Sequence, residues 1–123
     1  MILKSMAAGL TLTIALTGSA LAAGDPAAGE VVFKKCAICH SAKAGEKKIG
    51  PSLFGVVGRK AGTVEGFKYS PANLASGLTW DEPTLDVYLT DPKAKVPGTL
   101  MSFPGLKDAT ERANAIAYLK TLK

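Results

Sequence analysis

The segment Cys36-Ala37-Ile38-Cys39-His40 places two thiols and one imidazole within five consecutive residues. On a helical turn, residues three and four positions apart lie on the same side, so these groups can reach a single bound molecule. The Cys-x-x-Cys-His spacing is the signature of covalent haem attachment, in which both thiols form thioethers and the imidazole binds the iron. The motif therefore predicts one haem c, attached through Cys36 and Cys39, with His40 as an iron ligand.

Other uses of this pair of cysteines are less consistent with the sequence. A disulfide between them would close almost no loop, so it would constrain the unfolded chain little. A zinc site needs four ligands, and the chain has no cysteine or histidine besides Cys36, Cys39 and His40, which leaves only carboxylates to complete it. A thioredoxin-like dithiol would need a βαβ context, which the sequence does not show. Zinc and dithiol sites remain as alternatives to haem attachment.

Residues 1–22 have the features of a signal peptide. Lys4 precedes an apolar stretch over residues 6–16, and the Ala-Leu-Ala sequence at residues 20–22 fits the small-x-small pattern of a signal-peptidase site. A retained membrane anchor is the alternative, because the apolar stretch is nearly long enough to span a bilayer. We expect cleavage after residue 22, export to the periplasm and one mature domain of residues 23–123.

Counting the residues that can bind iron identifies a second ligand. His40 is the only histidine, and Met1 and Met6 precede the expected cleavage site, so Met101 is the one methionine that remains. A lone methionine in a loop normally only fills apolar space. With a haem present, however, a thioether and an imidazole form a known axial pair in which the thioether raises the reduction potential of the iron. We therefore expect His40 and Met101 to fill both axial positions.

The expected mature chain is moderately basic. It keeps 14 of the 15 basic side chains beside 10 acidic ones, a formal charge of +4. Most of the excess is lysine, without the long basic runs or interleaved aromatic residues that nucleic-acid binding favours. The charge therefore predicts no nucleic-acid partner and favours a docking face for acidic proteins, with an ordinary solvated surface as the alternative.

Helix signals and glycines together indicate an all-α fold. Start signals occur at Asp25-Pro26, Ser70-Pro71, Thr79 with Glu82, and Asp108 with Glu111. The first helix is expected to continue to the cysteines and the third to end before Pro92. Glycines interrupt residues 41–69, and a second loop follows Asp91-Pro92. No segment shows the alternation of a strand.

The long glycine-rich loop has a consequence for the core. A domain of this size with residues 41–69 in one loop would ordinarily not be compact, because so much backbone is ordered without its own hydrogen-bond ladder. A buried porphyrin is large, flat and mostly apolar, so loops and short helices can pack on it. The loop therefore favours a bound cofactor independently of the cysteine motif.

From Gly29 to the C-terminus, the sequence resembles the class I cytochrome c family, and within it mitochondrial cytochrome c and its soluble bacterial relatives. Besides the cysteine motif, the resemblance rests on Gly50-Pro51-Ser52-Leu53, Gly58-Arg59-Lys60, Gly66-Phe67-Lys68-Tyr69, Gly77-Leu78-Thr79-Trp80, the Pro-Gly-Thr-Leu-Met-Ser-Phe sequence at residues 97–103, and Ile116-Ala117-Tyr118-Leu119-Lys120. It implies a small all-α fold in which the N- and C-terminal helices pack together around one covalently bound haem.

The resemblance also implies roles for individual residues. The carbonyl of Pro51 would bond the far nitrogen of the ligand histidine, which orients its ring and strengthens it as a donor. Tyr88 and Thr99 would lie near the methionine sulfur, and Phe103 would cover the haem beside its exposed edge. The residues implied around the haem propionates are Arg59, Tyr69, Asn73 and Trp80.

Further implications concern the helices and the surface. Gly29 and Phe33 of the first helix would meet Tyr118 and Ile116 of the last one. The sequence departs from the mitochondrial pattern near the ligand methionine, where Leu100 stands in place of a frequent lysine and Ala94 and Lys95 alter the basic pattern. The first helix is also one residue shorter between Phe33 and Cys36, as in the bacterial relatives.

An iron with both axial positions filled leaves none for oxygen, peroxide or a substrate. We therefore expect a monomeric electron carrier and no enzyme, taking one electron from a membrane cytochrome bc complex and passing it to an oxidase or a photosynthetic reaction centre. The lysines expected to steer it onto these acidic partners are Lys35, Lys93 and Lys95, with Lys34, Lys43, Lys47 and Lys107. Two alternatives remain: a small peroxidase or gas-binding protein in which Met101 dissociates, and a haem-bearing module of a larger redox complex.

Overall fold

The computed structural model describes residues 24–123, so the expected signal peptide at residues 1–22 lies outside the described residues. The helices are α1 (Pro26–Phe33), α2 (Pro71–Ala75), α3 (Glu82–Thr90), α4 (Pro92–Lys95) and α5 (Ala109–Lys120). Within this part of the chain, β structure is limited to one antiparallel bridge between Lys60 and Thr79. None of these helices combines the length and the apolar character needed to span a membrane. The expectation of an all-α fold is confirmed.

Each helix begins at a side-chain cap. The residues that accept a hydrogen bond from a backbone N–H of the first turn are Asp25, Ser70, Asp81, Asp91 and Asp108. A proline follows the cap in the first turn of α1, α2, α3 and α4, where its missing N–H costs no hydrogen bond. Local sequence chemistry thus sets where the helices start.

Three details differ from the expected elements. The cap of α3 is Asp81 and not Thr79, because Thr79 is extended and pairs with Lys60. Asp91-Pro92 opens the short helix α4 and not a loop, since the Asp91 carboxylate accepts the N–H of Ala94 at 3.2 Å. α1 ends at Phe33, and successive turns continue from there to the cysteines.

The central contact of the fold is between α1 and α5. Gly29 is buried, and a Cβ atom added to it would lie 1.8 Å from the carbonyl oxygen of Asn114 and 2.8 Å from Cβ of Tyr118. The absent side chain therefore lets the two helix backbones approach closely. The rings of Phe33 and Tyr118 pack with their centroids 5.0 Å apart, and Lys35 forms an ion pair with Glu111.

Further contacts attach α3 and the long loop to this pair of helices. Arg112 of α5 donates to Asp86 of α3 at 2.8 Å. The loop of residues 41–69 reaches α5 through Gly55, whose N–H donates to the carbonyl of Leu122. The loop also turns at Gly58, where φ is +87°, and the Gly58 N–H donates to the carbonyl oxygen of Trp80 at 2.8 Å. The loop is thereby held close to both α3 and α5.

Replacing Gly29 with alanine should lower the free energy of unfolding of the haem-bound protein by about 2 kcal/mol or more, because the new methyl group forces α1 away from α5. Glu30→Ala is the control, since Glu30 is the exposed neighbour in the same helix and should change stability by less than about 0.5 kcal/mol. Denaturant unfolding followed by circular dichroism measures both. Equal stability of the two variants would contradict the close helix contact.

Candidate functional site

A cavity of about 580 Å³ lies between the cysteine turns, the loop of residues 41–69, α3 and the segment that contains Met101. The structure brings all twelve residues singled out from the sequence to its lining. They are Cys36, Cys39, His40, Pro51, Arg59, Tyr69, Asn73, Trp80, Tyr88, Thr99, Met101 and Phe103. Their binding roles stay predictions, but their convergence from five separate parts of the chain defines one site.

His40 is oriented by the loop that follows it. Its Nδ1 lies 2.7 Å from the carbonyl oxygen of Pro51. A carbonyl can only accept, so Nδ1 carries the proton and Nε2 keeps its lone pair. Burial lowers the pKa of His40, the Pro51 bond opposes this, and the charge of Arg59 lowers it further. The imidazole is therefore neutral, as a metal ligand must be.

Gly50 also packs against His40, and only its place in the Gly50-Pro51-Ser52-Leu53 segment pointed to it in the sequence. A Cβ atom on Gly50 would lie 2.4 Å from Cε1 and 2.6 Å from Nδ1 of the His40 ring. The Gly50 N–H also donates to the carbonyl of Cys39 at 2.8 Å. The loop backbone thus packs directly against the imidazole and leaves it little room to rotate.

The two cysteines are unpaired and half-buried. Backbone hydrogen bonds from Cys39 and His40 to the carbonyl of Cys36, at 3.0 and 2.9 Å, hold the motif in a tight turn. Burial raises the pKa of the Cys36 thiol, while the nearby charge of Lys35 opposes that rise. Both thiols line the same cavity as the His40 ring.

Met101 is held by two hydrogen bonds at another part of the cavity wall. The Tyr88 hydroxyl donates to the Met101 sulfur at 3.2 Å, and the Met101 N–H donates to Oγ1 of Thr99, also at 3.2 Å. Tyr88 is itself packed against Trp80, with ring centroids 4.6 Å apart. Burial raises the pKa of Tyr88, so its hydroxyl remains a donor. The sulfur position is therefore set by its neighbours.

A polar region of the cavity wall is built around Arg59. Its guanidinium donates from Nη2 to the carbonyl of Ser52 at 3.0 Å and from Nη1 to that of Phe54 at 3.1 Å. Burial lowers the pKa of Arg59, and Tyr69 opposes this. Asn73 presents a buried side-chain oxygen without a partner in the described residues.

This set of groups fits a haem. The cavity walls are mostly apolar side chains such as Phe33, Val56 and Leu85, which suit a porphyrin face. Two free thiols, a neutral imidazole and a positioned thioether are the groups that attach a haem and bind its iron. The Arg59 guanidinium, which also lines the cavity, supplies positive charge for the anionic groups of such a ligand.

Comparisons with known proteins agree with this site. A sequence model of the Cytochrome c family matches residues 26–123. Cytochrome c2 of Rhodoblastus acidophilus is 58% identical over 102 residues, covering 82% of this chain and 95% of that protein. Cytochrome c2 of Blastochloris viridis is 54% identical over 100 residues, covering 80% and 79%. The solved structure of cytochrome cH from Methylobacterium extorquens aligns with a TM-score of 0.76 at 50% identity, covering 80% of this chain and 99% of that one.

Replacing Arg59 with lysine should lower the free energy of unfolding by about 1–3 kcal/mol, because a single ammonium nitrogen lacks the planar fork whose two nitrogens reach the carbonyls of Ser52 and Phe54, so one hydrogen bond is lost. Lys60→Gln is the matched control, since Lys60 is the exposed neighbour and should have an effect below about 0.5 kcal/mol. Denaturant unfolding of the haem-bound proteins checks both. A destabilisation by Arg59→Lys no larger than that of the control would show that the two carbonyls do not depend on the guanidinium.

Proposed function

This chain belongs to the class I cytochrome c family, and on that premise we propose that it carries single electrons through the periplasm with its haem iron bound by His40 and Met101. As a member of this family, the chain is an electron carrier of the cytochrome c type that binds haem c covalently, and it is not an enzyme. The proposed ligand pair rests on one observation: the side chains of Met101 and His40 line the same cavity, each held by a hydrogen bond. The Tyr88 hydroxyl donates to the Met101 sulfur, and the Pro51 carbonyl accepts from Nδ1 of His40, which leaves the lone pair on Nε2.

The haem would supply the redox chemistry of the site, and the protein would bind the haem. A haem supplies an iron that gains and loses one electron. Cys36 and Cys39 would hold it through thioethers, and His40 and Met101 would occupy both axial positions. With both positions taken by these side chains, the protein would offer no site at the iron for oxygen, peroxide or a substrate.

The surrounding residues would keep both ligands in place. The Pro51 carbonyl accepts a hydrogen bond from Nδ1–H of His40 and so fixes the orientation of the ring, and Gly50 packs against the ring. Tyr88 and Thr99 hold the side chain and the backbone of Met101. The proposed contacts to the haem propionates are Arg59, Tyr69, Asn73 and Trp80, and Phe103 would cover the haem beside its edge.

Periplasmic location is part of the proposal. It rests on the signal-peptide features of residues 1–22, with cleavage expected after residue 22 and a mature domain of residues 23–123. The structure supports a domain that begins near this point, because the N–H of Asp25 already donates to Oδ1 of Asn114 in α5 at 2.8 Å. Haem attached through two thioethers would also not be lost from an exported protein.

The proposed partners are a membrane cytochrome bc complex as the electron donor and an oxidase or a photosynthetic reaction centre as the acceptor. Lysines would steer the protein, acting as a monomer, onto acidic faces of these partners. The contacts in the structure indicate which of these lysines are free to interact with a partner. Lys35 pairs with Glu111, and Lys107 donates to the carbonyl of Thr90 at 2.7 Å, whereas Lys93 and Lys95 form no ion pair among residues 24–123.

Quinol-driven reduction by a purified bacterial cytochrome bc complex tests this function. We expect the rate constant to fall steeply as ionic strength rises, because salt screens the attraction between lysines and carboxylates. The double variant Lys93→Gln/Lys95→Gln should lower the rate severalfold at low salt and flatten its salt dependence. Lys60→Gln/Lys123→Gln removes the same charge from two exposed lysines that also form no ion pair among residues 24–123, and it should have a smaller effect.

Two results would contradict the proposal. If the bc complex does not reduce the parent protein at any salt concentration, that complex is not the donor. If the rate does not depend on salt, the lysine docking face is wrong.

A further inference from the structure

The loop that carries Met101 contains no helix, and its backbone hydrogen bonds before Met101 are local. Residues 96–108 connect α4 to α5, and we call them the Met101 loop. The N–H of Thr99 donates to the carbonyl of Val96 at 3.0 Å, and the N–H of Met101 donates to Oγ1 of Thr99. Among the described residues, the backbone of this loop first bonds to a helix other than α4 at a point beyond Met101.

That attachment is a close contact with the end of α3. The N–H of Leu106 donates to the carbonyl of Leu89 at 2.6 Å. A Cβ atom on Gly105 would lie 2.1 Å from the carbonyl oxygen of the last residue of α3, so the two backbones are in direct contact. Leu89 directly follows Tyr88, whose hydroxyl donates to the Met101 sulfur. The attachment of the loop to α3 therefore helps to bring the Met101 sulfur to the Tyr88 hydroxyl.

Arg112 of α5 bonds to both sides of this contact. From Nη1 it donates to the carbonyls of Leu106 at 3.0 Å and Lys107 at 3.3 Å. From Nε it donates to the Asp86 carboxylate of α3 at 2.8 Å. The Arg112 side chain is only 12% exposed, although the Asp86 carboxylate is half-exposed, and hydrogen bonds from a charged donor are among the stronger ones. One guanidinium thus joins α5, α3 and the Met101 loop.

A second ion pair between α5 and α3 lies away from the loop. Nζ of Lys120 is 3.2 Å from the Glu82 carboxylate, and the two side chains are 50% and 53% exposed. Glu82 begins α3 and Lys120 ends α5, so this pair is at the opposite end of each helix from the contact with the loop. Exposed pairs of this kind contribute little to stability. The Lys120–Glu82 pair is therefore a control for ion pairing between the two helices alone.

We propose that Arg112 is a positioning residue for Met101: it keeps the Met101 loop closed on α3, so that the sulfur stays at the Tyr88 hydroxyl and at the cavity. This inference rests on Met101 as the second iron ligand in the function proposed above. A loop without a hydrogen-bond ladder opens by local unfolding more readily than the helices around it. Because the open loop loses the bonds from Arg112 to Leu106 and Lys107, Arg112 opposes this opening as well as global unfolding.

Binding of imidazole to the oxidised, haem-bound protein measures the opening. Imidazole replaces Met101 only when the loop is open, so its apparent affinity rises with the open fraction. Arg112→Gln removes the charge and the fork of donors, Arg112→Lys keeps the charge without the fork, and Lys120→Gln breaks only the other ion pair. Hydrogen exchange of the Leu106 N–H, followed by NMR, reports the same opening without iron chemistry.

We expect Arg112→Gln to bind imidazole about tenfold more tightly than the parent, because the bonds lost with the guanidinium no longer oppose opening. Exchange at the Leu106 N–H should be faster by a similar factor. Arg112→Lys should change both quantities in the same direction by a smaller factor, so it tests the role if Arg112→Gln does not fold with its haem. Lys120→Gln should stay within about twofold of the parent in both measurements.

Imidazole affinities of the Arg112 variants equal to that of Lys120→Gln would overturn the inference, because a role limited to packing the helices leaves the loop closed. Equal acceleration of exchange at Leu106 and at the Gly29 N–H of α1 would also overturn it, since that result shows global unfolding alone. Failure of the proposed ligand pair gives a different result. The parent then binds imidazole as tightly as Arg112→Gln does, while exchange at Leu106 still depends on Arg112.

Discussion

The need to bury a flat apolar group between loops is the constraint on which the rest of this structure depends. The hydrophobic core and the cavity wall are largely the same side chains, since Phe33, Val56, Trp80, Leu85 and Leu89 belong to both. The close contact of α1 with α5 at Gly29 brings the cysteine turns to this core. The haem would therefore complete the core of a chain with short helices and one long loop, so folding and function depend on the same side chains.

The same arrangement explains how the two proposed iron ligands are held in place. His40 and Met101 are far apart in the sequence, and neither lies in a long regular element. Each is held by neighbours that act on it directly: Pro51 and Gly50 for the imidazole, Tyr88 for the sulfur. Such fixed surroundings suit the proposed carrier, because they hold both side chains in one arrangement in which each would bind the iron.

Much of the fold and of the candidate site could be predicted from the sequence, because helix caps depend on neighbouring residues and the possible iron ligands are few enough to count. Asp25, Ser70 and Asp108 start helices through caps that depend on a few neighbouring residues. Other features depend on distant parts of the chain and could not be predicted. Thr79 is not a cap because it pairs with Lys60, which is distant in the sequence. Gly50 belongs to the site because the fold of the loop packs its backbone against the His40 ring.

An optical spectrum of the oxidised protein tests most directly whether His40 and Met101 both bind the iron. Ferric haem with a methionine ligand shows a weak charge-transfer band at long wavelength. We predict this band in the parent protein and its loss in Met101→Ala, with the haem still attached to Cys36 and Cys39. A parent spectrum without the band, or a band that persists in Met101→Ala, would contradict the assignment of the sixth ligand.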